Sequence, residues 1–437
     1  MSLNKGTIIK IKNGGEAQII EEFGSGGQGT VYRARYQGKD YALKWYHVGV
    51  FKDKWKDFYD NLENNIRKGA PTKNFLWPLG ITEVQLGSFG YLMDIRPGGY
   101  SELTDFFVST KKKPQVHFAS FTALSNAAIN IIQAFRALHN NGYTYQDINN
   151  GNFFIDPKNG DVLICDNDNV SPEGKNLGIM GKQRWMAPEV VTGGEPDKKS
   201  DRFSLSVVLF RLLFINHPLE GKYSTPPCMT KELEKKYYGT NPIFIMDPQI
   251  TDNRPIPGAA YNLQRFWNVY PKYIRDAFIK AFSQDVMLGR ANRIIEREWL
   301  DLFFRLRAET GKCPNCKNET FWETTSDSVR CIECQSPVDT KKRLKLSRFT
   351  LPIYEGLKVY LWHVDSSPED VETILAEVVH NPNNPQLLGF KNISNYTWKI
   401  NLPDGSQKRL EPGNVVPVKD KFQIDFIGNN AIATVEL

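Results

Sequence analysis

The chain has no long uninterrupted apolar run. Its most apolar stretch, Leu205 to Ile215, is broken by Arg211 and is too short to cross a bilayer. It also lacks a strong charge of either sign: 55 Lys and Arg against 49 Asp and Glu leave +6 over 437 residues. The basic residues are scattered, and the short runs Lys111-Lys112-Lys113 and Lys341-Lys342-Arg343 read as solvated surface, so charge makes no case for nucleic acid. Cysteine is scarce, six in all, and four of them fall in two Cys-x-x-Cys pairs. That usage points to a metal in a reducing compartment and away from a disulfide framework. Met1 to Lys12 alternates polar and apolar residues without a secretory pattern, so a cytoplasmic protein is expected. The rest of the composition is that of an ordinary globular protein, 41% hydrophobic and 24% charged. The length allows roughly two to four domains.

What is present is concentrated chemistry. Tyr145-Gln146-Asp147-Ile148-Asn149-Asn150-Gly151-Asn152 precedes two apolar runs, Phe153 to Ile155 and Val162 to Cys165. Asp156-Pro157-Lys158-Asn159-Gly160 turns between them, and the second run ends on Asp166. A loop followed by so short a hairpin brings Asp147, Asn152 and Asp166 to one spot. A carboxylate, an amide and a second carboxylate are the groups that phosphoryl transfer uses: one acid takes the hydroxyl proton, and the amide and the other acid hold Mg²⁺. Upstream, Ile19 to Phe23 and Val31 to Tyr36 read as strands around Gly24-Ser25-Gly26-Gly27-Gln28-Gly29, and a turn at Gln37-Gly38 leads into Tyr41 to Tyr46. A Gly-rich segment between two strands fits a hairpin folded over phosphates, unlike a Rossmann loop, which opens a helix. Lys44 on the next strand is a cation placed for the α- and β-phosphates. For either feature alone, a Gly-rich turn with a surface lysine is the plain alternative.

Residues 51 to 68 have a helical period, with Trp55, Phe58, Tyr59, Leu62 and Ile66 on one face. Residues 119 to 139 form a longer amphipathic helix ending at Asn140-Asn141-Gly142. Further on come Ala187-Pro188-Glu189, then Asp201 opening an apolar helix, then Arg293 ahead of Trp299-Leu300. In this order, over roughly residues 10 to 305, the sequence resembles the protein kinases. The resemblance implies a bilobal α+β fold, with an N-lobe over 1–95 and a C-lobe over 96–306. It implies a serine/threonine protein kinase in which Gly24, Gly26 and Gly29 cover the phosphates of ATP and Lys44 holds them. Glu63 would pair with Lys44 from the helix, with Asp60 as fallback; Asp147 would be the base, and Asn152 and Asp166 the Mg²⁺ ligands. Tyr91 to Gly99 resembles the hinge: Met93 as gatekeeper, the backbone of Asp94, Ile95 and Arg96 against the adenine, and Val31, Ala42 and Phe154 around its ring. Asp201 would hold the catalytic loop's backbone, and Glu189–Arg293 would be a buried structural ion pair. The alternative is a pseudokinase adaptor that binds nucleotide and bridges proteins through its tail.

Some positions depart from the family's pattern. Tyr145-Gln146 stands in place of His-Arg, Asn149 in place of lysine and Asp168 in place of glycine. Gln146 has no charge to pair with a loop phosphate, and Ser171 is the only hydroxyl between Asn169 and Ala187, so activity independent of activation-loop phosphorylation is expected. Lys182 stands where the family has a threonine facing the missing lysine. Its ammonium is expected to reach past Asn149 to the γ-phosphate near Asp147 as a catalytic charge. A solvent-facing lysine is the alternative.

Beyond the kinase-like part, Cys313-Pro314-Asn315-Cys316 and Cys331-Ile332-Glu333-Cys334 are separated by fourteen residues. Two such pairs match a zinc ribbon over 312–338, with Zn²⁺ as a closed structural staple. The cysteines follow the last kinase motif, so a kinase part cut near Arg307 is expected to fold alone. Lys341 to Arg348 reads as a basic linker. Residues 349–437 read as a small all-β sandwich, from alternating runs such as Leu357 to Trp362, Trp398 to Ile400 and Phe422 to Phe426. Leu388 to Asn429 resembles the second half of forkhead-associated sandwiches, without a match to the Arg and Ser that hold phosphothreonine there, and a docking module is expected. The order of kinase, ribbon and β domain resembles bacterial kinases encoded beside tellurite-resistance-type proteins. That resemblance implies a von Willebrand A domain protein and a PP2C-type phosphatase as partners. The residues themselves give no membrane span, and few basic and aromatic residues interleave in the ribbon (Phe321, Trp322, Arg330), which leaves nucleic acid as the weaker alternative there.

Overall fold

The computed structural model describes residues 2–437 except 13, 110–112, 225, 227, 259, 366 and 368, and the side chain at 385. Lys111 and Lys112 of the first basic run therefore lie outside the described residues; Lys113 pairs with Asp105.

An antiparallel sheet opens the chain. Its strands are β1 (Ile8–Lys10), β2 (Glu16–Ser25), β3 (Gly29–Tyr36), β4 (Lys39–Tyr46), β5 (Gly80–Ile81) and β6 (Gly90–Met93), in spatial order β1-β2-β3-β4-β6-β5. Gln37 and Gly38, with φ of 48° and 80°, make the tight turn between β3 and β4. Two residues with positive φ match the twist of the flanking strands. The helix α1 (Trp55–Lys68) follows and buries Phe58, Tyr59 and Leu62.

The second lobe is built on α2 (Phe121–Asn140) and α3 (Lys198–Phe214). Ser120 caps α2 by accepting from the Ala123 amide, and Gly142, at φ 75°, follows its end. From Phe203 to Phe210 every residue of α3 is buried, as a helix at the centre of a lobe requires. The hairpin of β7 (Phe153–Ile155) and β8 (Val162–Ile164) carries the loops of the cleft, and α4 (Glu296–Glu309) packs along α2.

The chain leaves α4 directly into two small hairpins, Thr310–Lys312 with Glu319–Phe321 and Ser328–Arg330 with Pro337–Asp339. Two sheets complete the tail. One has six strands, in the order Thr350–Pro352, Arg343–Lys345, Ile432–Glu436, Gln423–Asp425, Trp398–Asn401, Gln407–Leu410. The other has four: Lys358–Tyr360, Ile374–Asn381, Asn384–Asn392, Val415–Pro417.

Several expectations are corrected here. Lys341 to Arg348 is not a linker, because Arg343–Lys345 is an interior strand, bonded to Thr350–Pro352 on one side and Ile432–Glu436 on the other. Leu344 is buried between Arg343 and Lys345, whose basic side chains masked a period-two strand. The run Leu357 to Trp362 is strand only as far as Tyr360; Leu361–Val364 is a helical turn that sets the Trp362 ring against Phe304 of α4, centroids 5.5 Å apart.

Nor is the tail a separate body. Phe304, Cys313, Phe321, Trp322, Trp362 and Trp398 belong to one buried cluster with Leu209 and Phe210 of α3. The Arg307 guanidinium lies 3.6 Å from the centre of the Tyr360 ring. Glu319 accepts from the Phe121 amide and, at 2.6 Å, from Thr122 Oγ1, so a residue of the first small hairpin caps α2. Tyr354 donates to the carbonyls of Ala308 and Thr310, at 2.9 and 2.7 Å. A cut near Arg307, where a kinase part that folds alone was expected to end, runs through this shared core. Among the described residues no helix is long and apolar enough to cross a membrane.

Candidate active site

The loop from Tyr145 to Asn152 is held from below by three helices. Asp201 of α3 accepts from the amides of Tyr145 and Gln146 at 2.7 and 3.0 Å and lies 3.2 Å from Nε2 of His139, on α2. The other ring nitrogen of His139 is 2.8 Å from Glu296 of α4, which also receives Arg202 at 2.8 Å. Burial pulls the His139 pKa down, but its bonds to Asp201 and Glu296 raise it on balance. Burial works against the Glu296 carboxylate too, yet His139 and Arg202 bring it to about 2.

Above this support the three groups singled out by spacing come together. Asn152 Nδ2 donates to the Asp147 carbonyl at 2.9 Å, so its Oδ1 has no donor among the described residues, and the Cys165 amide donates to the Asn152 carbonyl at 2.8 Å. The Tyr145 hydroxyl, where the family has histidine, donates to the Cys165 carbonyl and ties the loop to the strand that ends on Asp166. Asp166 sits at φ 52°, ψ 44°, a left-handed turn that Asp tolerates better than most residues. Its carboxylate is half exposed and lies 3.3 Å from Lys44 Nζ. Asp147 receives Asn149 Nδ2 at 3.0 Å. Its pKa is raised, first by burial and then by the charge of Asp166, against bonds from Asn149, Asn152 and the Lys182 amide. A base with a raised pKa is better matched to neutral pH.

Lys44 is in the cleft, but its partner differs from the one expected. Its Nζ lies 2.9 Å from Asp168 Oδ2, 3.3 Å from Asp166 and 3.4 Å from Gln28 of the Gly-rich loop. Burial lowers its pKa, and the charges of Asp168 and Asp166 outweigh burial, so the group stays protonated. Glu63 does not reach it. The Glu63 carboxylate bonds Lys12 Nζ at 2.8 Å on the surface, and Asp60 is exposed as well. The cause is the azimuth around α1. The residues that face the loop are Asn61 and Asn65, whose amides both donate to the Val170 carbonyl at 2.8 Å. Glu63, two residues beyond Asn61, points about 200° round the helix. Sequence reasoning missed Asp168, reading it only as a lost glycine. The available signal was Tyr46, which shares Lys44's face of β4 and offers a second donor to a buried acid.

Lys182 also departs from expectation. Its amine donates to Asn150 Oδ1 at 2.9 Å in an exposed position, and only its backbone amide bonds Asp147. Asn149 already occupies Asp147 Oδ1, so the exchange of charge between facing walls is not the arrangement found. The Gln146 amide donates to Thr144 Oγ1, Ser171 Oγ and the Lys175 carbonyl at 3.0, 2.8 and 2.8 Å, and Ser171 is fully buried among them. Arg293 grips Glu189 with both terminal nitrogens at 2.6 and 2.7 Å, but the Glu189 side chain is 42% exposed, so the pair is bidentate and not buried.

In the sheet beside Lys44, Ala42 and Met93 face each other across β4 and β6, with Val31 and Ile95 partly buried beside them. The Asp94 side chain points away to Lys39, at 3.2 Å. Phe154 carries the Arg96 guanidinium 3.8 Å from its ring centre. A Cβ on Gly29 would stand 2.4 Å from the Trp45 carbonyl oxygen, so the sheet itself requires that glycine; at Gly24 a Cβ would meet open space, and at Gly26 it would make only an ordinary contact with the Gly29 carbonyl oxygen at 4.0 Å.

The four cysteines of the two small hairpins bring their sulfurs within 4.8 Å of one another. Cys313 and Cys334 are 3.8 Å apart, Cys316 and Cys331 3.7 Å. Four thiolates about 2.3 Å from a tetrahedral ion stand about 3.8 Å from each other, so the donor set fits Zn²⁺.

A family model for the protein kinase domain matches residues 17–241, just over half of the chain. The chain belongs to the protein kinase family. It is 27% identical over 208 residues to the probable serine/threonine-protein kinase kinX of Dictyostelium discoideum, covering 45% of this chain and 18% of that one. It is 25% identical over 232 residues to the DNA damage-responsive serine/threonine-protein kinase RqkA of Deinococcus radiodurans, covering 51% and 32%. With mitogen-activated protein kinase kinase kinase 7 of Drosophila melanogaster it shares 25% over 207 residues, covering 47% and 29%. The chain thus spans less than a third of the length of these relatives.

Proposed function

We propose that the protein transfers the γ-phosphate of ATP to Ser or Thr hydroxyls of partner proteins. The observation that carries this reading is the convergence of Lys44, Asp147, Asn152 and Asp166 on one cleft, with the catalytic loop fixed to Asp201. Lys44 would hold the phosphates, and Asp147, with its raised pKa, would orient the hydroxyl and take its proton. Asn152 and Asp166 would hold Mg²⁺, which neutralises phosphate charge. Gly24 and Gly26 would leave the loop's backbone open to the phosphates, and Met93 to Arg96 would meet the adenine. Zn²⁺ on Cys313, Cys316, Cys331 and Cys334 would be structural, since four thiolates close its coordination. A von Willebrand A domain protein and a PP2C-type phosphatase are proposed partners on the resemblance of domain order alone.

The test is transfer of label from γ-labelled ATP with Mg²⁺ to a generic acceptor such as casein. Asp147→Asn should lower transfer by about 10²- to 10⁴-fold with ATP affinity kept. A second reading, a nucleotide-binding adaptor without transfer, is favoured by Arg96, whose guanidinium covers the Phe154 face that adenine would use. ATP binding with no Asp147-dependent transfer would select that reading.

A further inference from the structure

Asp168 is buried completely, and a buried carboxylate is tolerated only where donors satisfy it. Three donors meet it. Lys44 Nζ lies 2.9 Å from Oδ2, the Tyr46 hydroxyl donates to the same oxygen, and the Tyr91 hydroxyl donates to Oδ1 at 3.3 Å. The sheet presents these donors as a set. Tyr46 is two residues after Lys44 on β4 and so shares its face, and Tyr91 is the residue paired with Lys44 across β6. The carboxylate arrives from the other lobe on the turn Asn167–Asn169, directly after Asp166.

We propose that Asp168 is the positioning residue for Lys44, taking from the loop after Asp166 the role that sequence pattern assigns to a carboxylate on α1. The proposal rests on reading the cleft as an ATP site. The bond to Asp168 is the short one; those to Asp166 and Gln28, at 3.3 and 3.4 Å, are long enough for phosphate oxygens to replace them. α1 contributes differently. Asn61 and Asn65 hold the Val170 carbonyl, two residues past Asp168, so the helix steadies the loop and the loop steadies the lysine. The phosphate-binding cation and the metal-binding acid Asp166 are thereby fixed by one turn of chain. Rotation of α1 about its own axis does not move a Lys44 partner, because Glu63 is bonded to Lys12 on the outside.

Two measurements on the full chain test this. The first is the side-chain ¹⁵Nζ resonance of Lys44, assigned by its loss in Lys44→Met. A buried, hydrogen-bonded ammonium exchanges slowly, so the signal should be present in the wild type and in Glu63→Gln and be lost in Asp168→Asn. The second is ATP affinity: Asp168→Asn should weaken it about tenfold, Glu63→Gln should leave it unchanged, and Asp168→Asn should add nothing in the Lys44→Met background. A merely structural acid would give additive losses and overturn the proposal. So would Asp168→Asn keeping both the signal and wild-type affinity, or Glu63→Gln costing as much. If Asp168→Asn does not fold, the conservative Asp168→Glu and the exposed Glu63→Gln carry the same comparison. The kinase reading fails separately, by ATP binding without transfer or by no binding at all, and the Lys44 resonance still decides for or against Asp168.

Discussion

The sheet of β1 to β6 and the C-terminal β domain are attached to the C-lobe at opposite ends of the chain, and their attachments differ in kind. The N-terminal sheet keeps its apolar residues largely in clusters of its own, one around Leu43, Trp45 and Leu92, another around Phe58, Leu62 and Tyr91. Together with α1 it meets the loops of the cleft mostly through polar bonds, Lys44, Tyr46 and Tyr91 to Asp166 and Asp168, and Asn61 and Asn65 to Val170, with Leu177 and Ile179 as the apolar contacts. The tail instead adds Trp362, Trp398 and Phe390 to the C-lobe's own buried cluster. Polar contacts beside an open cleft exchange for ligand or water at small net cost, whereas apolar area returned to water costs about 25 cal/mol per Å². The cleft is therefore where the molecule can rearrange, and the tail is part of the platform that stays still.

The comparison breaks first at Trp362. Its ring is fully buried against Phe304, and its Nε1 donates to Asp301 at 2.9 Å. Trp362→Ala should cost about 3–5 kcal/mol. Calorimetry should show the C-lobe and tail of the wild type melting together, and the variant melting at a lower temperature in the same transition. A C-lobe transition that stays put while a separate tail transition moves would mean that the tail is an independent body after all.

A smaller effect is expected from a chelator, which would strip the Zn²⁺ proposed for the four cysteines. Cys313 and Cys331 are fully buried, and Glu319, between the two cysteine pairs, caps α2. Loss of the ion should free that cap, worth about 1 kcal/mol. Amide exchange at Phe121 should speed up by about fivefold while exchange in β3 and β4 is unchanged. Equal loosening in β3 and β4 would remove the distinction between the two attachments.

The platform should also carry a pH signature. The His139 pKa is raised in the folded state, so the stability it supplies is complete below its ordinary 6.5 and is lost as pH rises through the folded value. Asp201, Glu296 and Arg202 are the charged groups around it. The unfolding free energy should fall above pH 6.5 by at most about 1.4 kcal/mol per pH unit, the melting temperature should fall with it, and His139→Gln should flatten that limb. A wild-type limb that the variant reproduces would assign the titration elsewhere.

The residues legible in the sequence are those whose placement depends on short spacing. Asp147 to Asn152 is one loop, and Asp166 ends the next hairpin, so counting alone brought them together. Asp201 and Arg293 were found through resemblance, because the stretches around them match protein-kinase motifs in which an aspartate holds the catalytic loop and an arginine pairs with the Ala-Pro-Glu glutamate. Glu63 was misplaced because spacing along a helix does not settle which azimuth faces a cleft, and here Asn61 and Asn65 hold that direction. Asp168 was missed because its meaning lies in donors on β4 and β6, far away in the chain. The join between tail and C-lobe was invisible for the same reason. Nothing local to Trp362 says that Phe304 is its partner, and the strand at Leu344 was hidden by the basic residues on either side.

The smallest effect is expected at Ser171, and it bears on whether phosphorylation gates the mobile side of the molecule. The Ser171 hydroxyl donates to the Lys175 carbonyl at 2.6 Å and accepts from Gln146 Nε2 at 2.8 Å, with no exposed surface. A modifying enzyme cannot reach it without opening the loop, and a phosphate there would face the neutral Gln146 amide in place of a cation. In Ser171→Ala the Gln146 amide keeps Thr144 and the Lys175 carbonyl as acceptors, so the loss should be one ordinary hydrogen bond, about 1 kcal/mol of stability. Turnover should stay within about threefold of wild type, because Asp201 still fixes the backbone of the catalytic loop. Mass spectrometry after incubation with ATP should find Ser171 unmodified. A drop in turnover beyond about tenfold, roughly 1.4 kcal/mol of barrier, or phosphate on Ser171 in the active protein, would place a switch in this loop and make the cleft's rearrangement a regulated one.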